Sequence, residues 1–470
     1  MTRVLSLCAV FVAVSLARGD DEESLTLHPA PLPSPALKHH LLPELRSQTA
    51  GDAVPLYEEA VVKYPAVMKE FFQLRPDYPF NKWADTPLKE LPRDEVRKAL
   101  EPFKEILDLI DKAARRERCT GDAPAGSAKT ASPAKLPESY LLDQVVPLLA
   151  VRARLQMADG DLAAAAYTLQ TGLAMARQIG QLPQFAYPHS GMETAELMLR
   201  QLEDFVQQPK APNLYWALAN LPRPLFDCRP GVQAERESQR RRFPAVDGNA
   251  ANLNAGPWTD EQVESAVRLL LQFYNPPNAD FLDDLRGRRE LTKLLTDRYA
   301  EYKIVLLDEG RPKDKVEAMP HVQVAILASF HRYDRLLDDQ LKLLNEPYSE
   351  AADQLERLSK AVTEAARNQP LQPIIAPDVV VLRRAQVRLE RKINALRCVE
   401  ALRAYAATHE GKLPARLEDV KDAPIPADPV TGKAFVYKLT DGKATLESPD
   451  MTGESRRYFE DLVYEVTMKR

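Results

Sequence analysis

Apolar residues recur every three or four positions along most of this chain, and the period shortens to two only near the end. Helical patterning starts at Pro55 with "PLYEEAVVKYPAVMKEFFQL" and continues in "RDEVRKALEPFKEILDLIDKAARRERC". In the second stretch Leu100, Phe103, Leu107 and Ile110 mark one face, and Pro102 predicts a helix start or a kink. "TGDAPAGSAKTASPAK" follows with no face to bury and reads as a loop. "YLLDQVVPLLAVRARLQMADGDLAAAAYTLQTGLAMARQIGQL" then predicts a helical hairpin. Its turn is Asp159-Gly160-Asp161: the glycine ends one helix and Asp161 caps the next. Ala163 to Ala166 are small enough for the paired helices to approach closely.

Past a further helix ending near Gln208, Tyr215 and Trp216 sit on a short helix closed by prolines, where core packing is the expected fate of both rings. Arg240, Arg241 and Arg242 stand at a helix end, where positive charge complements exposed carbonyls. "PAVDGNAANLNAGPW" lacks any period and is the clearest internal boundary. "TDEQ" at Thr259 to Gln262 caps the next helix, and helical patterning runs on through His321 and His331. The longest amphipathic pattern is "PDVVVLRRAQVRLERKINALRCVEALRAYAATHEGKLP". Leu382, Ala385, Leu389, Ile393, Leu396, Val399, Leu402 and Ala406 give an apolar stripe ~36 Å long, with arginine and glutamate on the other face. Gly411 and Pro414 stop it.

Beyond that point the pattern alternates. Phe435, Tyr437 and Leu439 share a strand face, Asp441-Gly442 turn the chain, and Ala444 and Leu446 return. Leu462, Tyr464, Val466 and Met468 alternate again. The fold class expected is therefore mainly α: helical hairpins or a bundle, then a C-terminal α+β module of one long helix on a small antiparallel sheet. The expected domains are a helical domain over 51–245 with its hairpin at 138–182, a second helical region over 246–375, and the module over 376–470. The chain has 470 residues, and 38 prolines against 17 glycines suit helices separated by stiff stops.

The first residues bear on compartment. "MTRVLSLCAVFVAVSLARGDDEE" has Arg3, an apolar run of about 13 residues, then Ala17 and Gly19 ahead of an acidic run. It reads as a cleaved signal peptide over 1–19, so export to the periplasm or cell envelope, or beyond the cell, is expected. Residues 20–50, with "HPAPLPSPALKHH", read as a proline-rich tether. Cleavage takes away Arg3 and Arg18 and no acid, moving the net charge from -5 to -7 and arguing against nucleic-acid partners. Cys119, Cys228 and Cys398 would remain, too few and too far apart for a disulfide framework or a zinc site.

Candidate chemistry is sparse. His39 and His40 are adjacent, and His321 and His331 are ten apart, so neither pair has the spacing of a helical zinc site. His331 stands with no serine or cysteine motif. "PADPVTGKAFVYKLTDGKA" lacks a phosphate-loop pattern and reads as turn chemistry around a strand.

Three resemblances add to this reading. The hairpin resembles one tetratricopeptide unit, which implies a surface for peptide contact. "ALRAYAATHEGKLPARLEDV" with "PADPVTGKAFVYKL" resembles the globular part of type II secretion pseudopilins over about 70 residues. Tyr405, Gly411, Pro414, Asp428, Pro429, Gly432 and Tyr437 stand at the matching places. Some pseudopilins bind calcium here, and by that resemblance Asp428, Asp441 and Asp450 are the candidate oxygen ligands. Over nearly its whole length the chain is similar to a group of exported bacterial proteins of unassigned function. "AARRERC", "GDLAAAAYTLQTGLAMAR", "APNLYWALANLPRPLFD", "LRCVEALRAYAATHEGKLP" and "YEVTMKR" carry that similarity.

The function expected is a non-enzymatic protein-interaction or structural component of the cell envelope, with a protein partner and no catalytic residues or cofactor. Two alternatives stay open: an exported hydrolase of envelope polymer using paired carboxylates from distant helices, and a calcium-stabilised structural module.

Overall fold

The computed structural model describes residues 21–74, 78–120, 139–243, 246, 252–274, 281–368, 377–451, 459 and 461–469. The segment read as a signal peptide, most of the loop after Cys119 and part of the 244–258 boundary lie outside the described residues. The fold is mainly α with a small sheet, as the periodicity predicts. The chain forms two compact units: Met1–Gly180, His189–Phe226 and Ala385–Arg470 make the first, and Gln181–Pro188 and Asp227–Arg384 the second. These units divide the chain elsewhere than the expected boundaries at 245 and 375. The C-terminal module shares one core with the N-terminal helices, a long-range relation that local sequence does not display.

In the first unit, helix α1 (Val54–Leu74) leads to α2 (Phe80–Asp85), α3 (Arg93–Leu100) and α4 (Lys104–Ala113). A 3-10 turn at Glu101–Phe103 separates α3 from α4 where Pro102 predicts a break. Leu100, Phe103, Leu107 and Ile110 are all buried, the face the spacing of three and four requires. Helices α5 (Ser139–Ala158) and α6 (Leu162–Gly180) form the expected hairpin. Gly160 adopts φ +79°, and the Asp161 carboxylate accepts the Ala164 N–H at 3.0 Å.

Of the four small residues Ala163–Ala166, Ala165 is fully buried and Ala163 is exposed. A close helix approach lies farther along α6, against α7 (Tyr187–Val206). A Cβ on Gly191 would sit 2.7 Å from the Ala176 carbonyl oxygen and from Gly180 Cα, and one on Gly172 would meet Met198 Sδ at 2.2 Å. Glycine there allows backbone-to-backbone packing that alanine would not.

The sheet order is β1-β6-β5-β4: β1 Asp21–Leu27, β4 Val436–Thr440, β5 Lys443–Glu447 and β6 Leu462–Met468. Strands β4, β5 and β6 are antiparallel as expected, with Asp441 and Gly442 at φ +51° and +79° in the two-residue turn. Strand β1 adds to β6 in parallel, Leu25 opposite Val466 and Leu27 opposite Met468, so the sheet is mixed. This overturns the tether over 20–50. Leu25 and Leu27 alternate into the core, and Lys469 N–H extends the ladder to the Leu27 carbonyl. The proline-rich stretch beyond is tied down as well. Leu41 is buried, and the Ala30 N–H donates to the Arg403 carbonyl at 3.1 Å. Two further short strands, β2 (Thr49–Asp52) and β3 (Arg116–Arg118), pair in parallel.

The second unit contains α9 (Arg229–Arg242), α10 (Asp260–Tyr274), α11 (Phe281–Asp297), α12 (Tyr299–Asp308), α13 (Lys313–Glu317), α14 (His321–Leu343) and α15 (Tyr348–Asn368). Thr259 and Gln262 form the predicted reciprocal cap of α10, at 2.9 and 3.3 Å. Arg240 meets Asp334 on α14 at 3.0 Å, so this helix end is paired as well as positive.

The long helix is α16 (Val379–Thr408), whose residues up to Arg384 belong to the second unit and the rest to the first. Its apolar stripe is buried as predicted apart from half-buried Ala385, and much of its polar face is buried too, although Arg388 is exposed. Arg383, Arg384, Arg391, Arg397, Glu400 and Arg403 are all buried. No helix among the described residues is long and apolar enough to cross a membrane.

A candidate binding cleft and the buried ion pairs

Asp428 is fully buried, and protein donors engage its carboxylate. Arg391 on α16 donates from Nε at 2.8 Å and from Nη2 at 3.2 Å. The N–H groups of Val430 and Thr431 and the Thr431 hydroxyl close the Asp-Pro turn on the same two oxygens. Arg391 also meets Met451 Sδ at 3.4 Å and lies over the Phe459 ring. Asp441 lies in the β4–β5 turn and Asp450 is exposed. Among the described residues no three His, Cys, Asp or Glu side chains are grouped to hold an ion. The other positions matching pseudopilins have local structural partners. The Tyr437 hydroxyl donates to the Pro414 carbonyl at 2.8 Å, Tyr405 stacks on His409, and Gly411 and Gly432 take φ +75° and +70°.

A second staple centres on Arg403. With its side chain wholly buried, it pairs with Glu400 at 2.7 Å and donates to the carbonyls of His28, Ala211 and Pro212. Asn213 bridges the Ala30 and Glu400 carbonyls. One arginine thereby joins the segment after β1, the segment after α7 and α16. Burial raises the Glu400 carboxyl, opposed by Arg403. The third staple holds Tyr215. Its hydroxyl bonds the Pro424 carbonyl, Arg397 donates to it at 3.2 Å, and Trp216 packs edge-on at 4.9 Å.

Glu203 on α7 is a second strongly perturbed acid. Its side chain is 3% exposed; Lys392 reaches Oε1 at 3.0 Å and the Tyr464 hydroxyl donates to the same oxygen, while Oε2 is buried without a hydrogen-bond partner. Burial lifts its pKa to about 8, with Glu23 on β1 adding to the rise and Lys392 opposing it. Among the described residues the three cysteines are free thiols. Burial pushes Cys228 up to about 11 and Cys398 to about 12, so neither is an activated nucleophile. In the second unit His331 faces Glu309 at 3.3 Å, and His321 stacks on Tyr299.

A cleft of about 650 Å³ opens in the first unit between residues 40–46 and a wall made by Arg177 with residues 217–222. The 40–46 strap is held by Gln170, whose amide donates to the His40 and Leu42 carbonyls, and by Gln48, which donates to the Pro43 carbonyl. Glu44 is taken up within the strap, by Arg46 at 3.0 Å and His40 at 3.2 Å. Helix α8 (Tyr215–Ala219), pinned by Tyr215, shapes the other wall. Leu45 projects from the rim with 86% of its surface exposed. Arg177 near the end of α6 differs from Arg391 and Arg403 in that no carboxylate among the described residues forms an ion pair with it; burial alone lowers its pKa, and its Nε, like that of several other arginines, is buried without a hydrogen-bond partner.

Sequence reading missed Arg177, Glu203 and Lys392. Arg177 lies in "LAMARQIGQL", where a lone arginine among apolar residues was the available signal. Glu203 in "LRQLEDFV" is indistinguishable from a solvated helix face until β6 and α16 are placed beside it. Comparison with known proteins returned no matching family model, no matching curated protein and no matching solved structure.

Proposed function

We propose that this chain is an exported, non-enzymatic protein of the cell envelope that works through contact with another protein, and that the cleft at residues 40–46 and 217–222 is its contact surface. The observation that carries this reading is the pairing, at one opening, of a rim leucine left almost wholly in water with an arginine that has no anionic partner among the described residues. Elsewhere the conspicuous charges are consumed in holding the fold: Asp428 by Arg391, Glu400 by Arg403, and Asp111 by Arg152 at 2.8 Å. A partly desolvated cation without an anion costs free energy that a bound anionic group recovers. The compartment rests on the apolar N-terminal run and the small residues that follow it.

The hydrolase alternative needs an acid that touches substrate. Glu203 has the raised pKa of a general acid, but its enclosed side chain is positioned to bind Tyr464 and Lys392. The proposal is tested by mild crosslinking in producing cells, followed by quantitative comparison of the proteins retained by the wild-type chain and by Leu45→Asp. A partner retained by the first and depleted at least fivefold from the second is the expected result. Identical sets would remove the cleft as the contact surface.

A further inference from the structure

We infer that the cleft captures the free C-terminal carboxylate of a partner polypeptide whose last side chain is apolar. The inference rests on the contact reading above and specifies its chemistry. Arg177 supplies the charge: its guanidinium is half-buried, has no carboxylate in ion-pair range among the described residues, and leaves Nε without an acceptor. The neighbouring charges do not satisfy it, because Glu44 is already engaged by both Arg46 and His40. A guanidinium offers a planar donor fork matched to a carboxylate, and the contact strengthens as water is excluded.

The walls define what accompanies the anion. Leu41, Leu42, Leu45, Leu221 and Pro222 line the opening, so the group next to the carboxylate must be apolar. That favours a chain terminus over an aspartate or glutamate in mid-chain, whose flanking backbone would lie against leucine with its polar groups unmet. Asn220 and His40 lie at the same opening, within a side chain's reach of the peptide groups that precede the terminus. A volume of about 650 Å³ accommodates two or three residues, not a folded domain.

The test uses the full chain and a synthetic array of heptapeptides with free C-termini, randomised over the last three positions, read by fluorescence. Selection for Leu, Ile, Val or Phe at the final position is expected, with amidation of the best peptide weakening binding at least tenfold. Arg177→Gln should weaken it by a similar factor, Arg177→Lys less. Arg200→Gln, which changes an arginine outside the cleft lining, should leave it unchanged, and circular dichroism of each variant checks folding. Equal binding of acid and amide overturns the inference. So does the absence of any C-terminal preference, or binding of decanoate with no peptide bound. If Leu45→Asp depletes a cellular partner while Arg177→Gln does not, the contact reading stands and the carboxylate inference fails.

Discussion

Glu203 gives a quantitative test of the packing, because the elements around it come from both ends of the chain. Its carboxyl sits among Lys392 on α16, Tyr464 on β6 and Glu23 on β1. In the unfolded chain it titrates near its ordinary value of 4.5, and in the folded protein near about 8. The direction follows from linkage. Below 4.5 both states hold the proton and nothing is lost. As pH rises toward 8 the unfolded chain releases the proton while the folded protein keeps it, so stability falls; above 8 the loss levels off. At ~1.4 kcal/mol per pH unit the full loss is at most ~5 kcal/mol, and water entry on ionisation will reduce it. Glu203→Gln mimics the protonated carboxyl and keeps an acceptor for Tyr464. Urea unfolding of both proteins, followed by Trp83 and Trp216 fluorescence with Trp258→Phe in the background, should show the glutamine variant gaining on the parent between pH 5 and 9. A gain of at least ~2 kcal/mol is expected. Parallel pH profiles would refute the reasoning. A parent that gains with pH would show that the Lys392 pair outweighs desolvation.

Other consequences follow from the same contacts. Leu27→Ala removes a fully buried side chain from β1 and should cost about 2–5 kcal/mol in urea unfolding; a value near zero would return the segment to the status of a tether. Arg391→Ala strands the buried Asp428 carboxylate and should cost roughly 3–5 kcal/mol, with Arg391→Met/Asp428→Leu recovering much of it. If the double change costs the sum of the two single changes, the pair is not coupled. Gly191→Ala forces a methyl against the Ala176 carbonyl and should destabilise by about 1–3 kcal/mol; a neutral result would contradict the close α6–α7 approach. Because Asp428 is already engaged by Arg391 and Thr431, millimolar calcium and chelator should give the same melting temperature for the full chain. A calcium-dependent rise that disappears in Asp450→Asn would restore the ion-stabilised reading.

Elements set by local chemistry were legible in the sequence. The Pro102 break, the Gly160 turn, the Thr259–Gln262 cap and the Asp441-Gly442 hairpin each depend on residues within four positions of one another. Relations fixed at long range were not. "DEESLTLHP" looks like a solvated acidic lead-in, and only β6 makes Leu25 and Leu27 a core pair. The α16 arginines read as a water-facing stripe because arginine usually is one. Arg391 and Arg403 are buried because Asp428 and the His28, Ala211 and Pro212 carbonyls converge on them. The same limit hid Arg177, since an unpaired cation is defined by the partners that the fold fails to bring to it.

The central claim, that this chain acts through its cleft, is tested most directly by placing a photoreactive amino acid at position 45 and illuminating producing cells. The same substitution at Val62, which is 71% exposed on α1, serves as the comparison. The account predicts a discrete higher-mass adduct from position 45 that is absent from position 62. A chain that stays uncrosslinked at 45, or gives the same adducts from both positions, would contradict it.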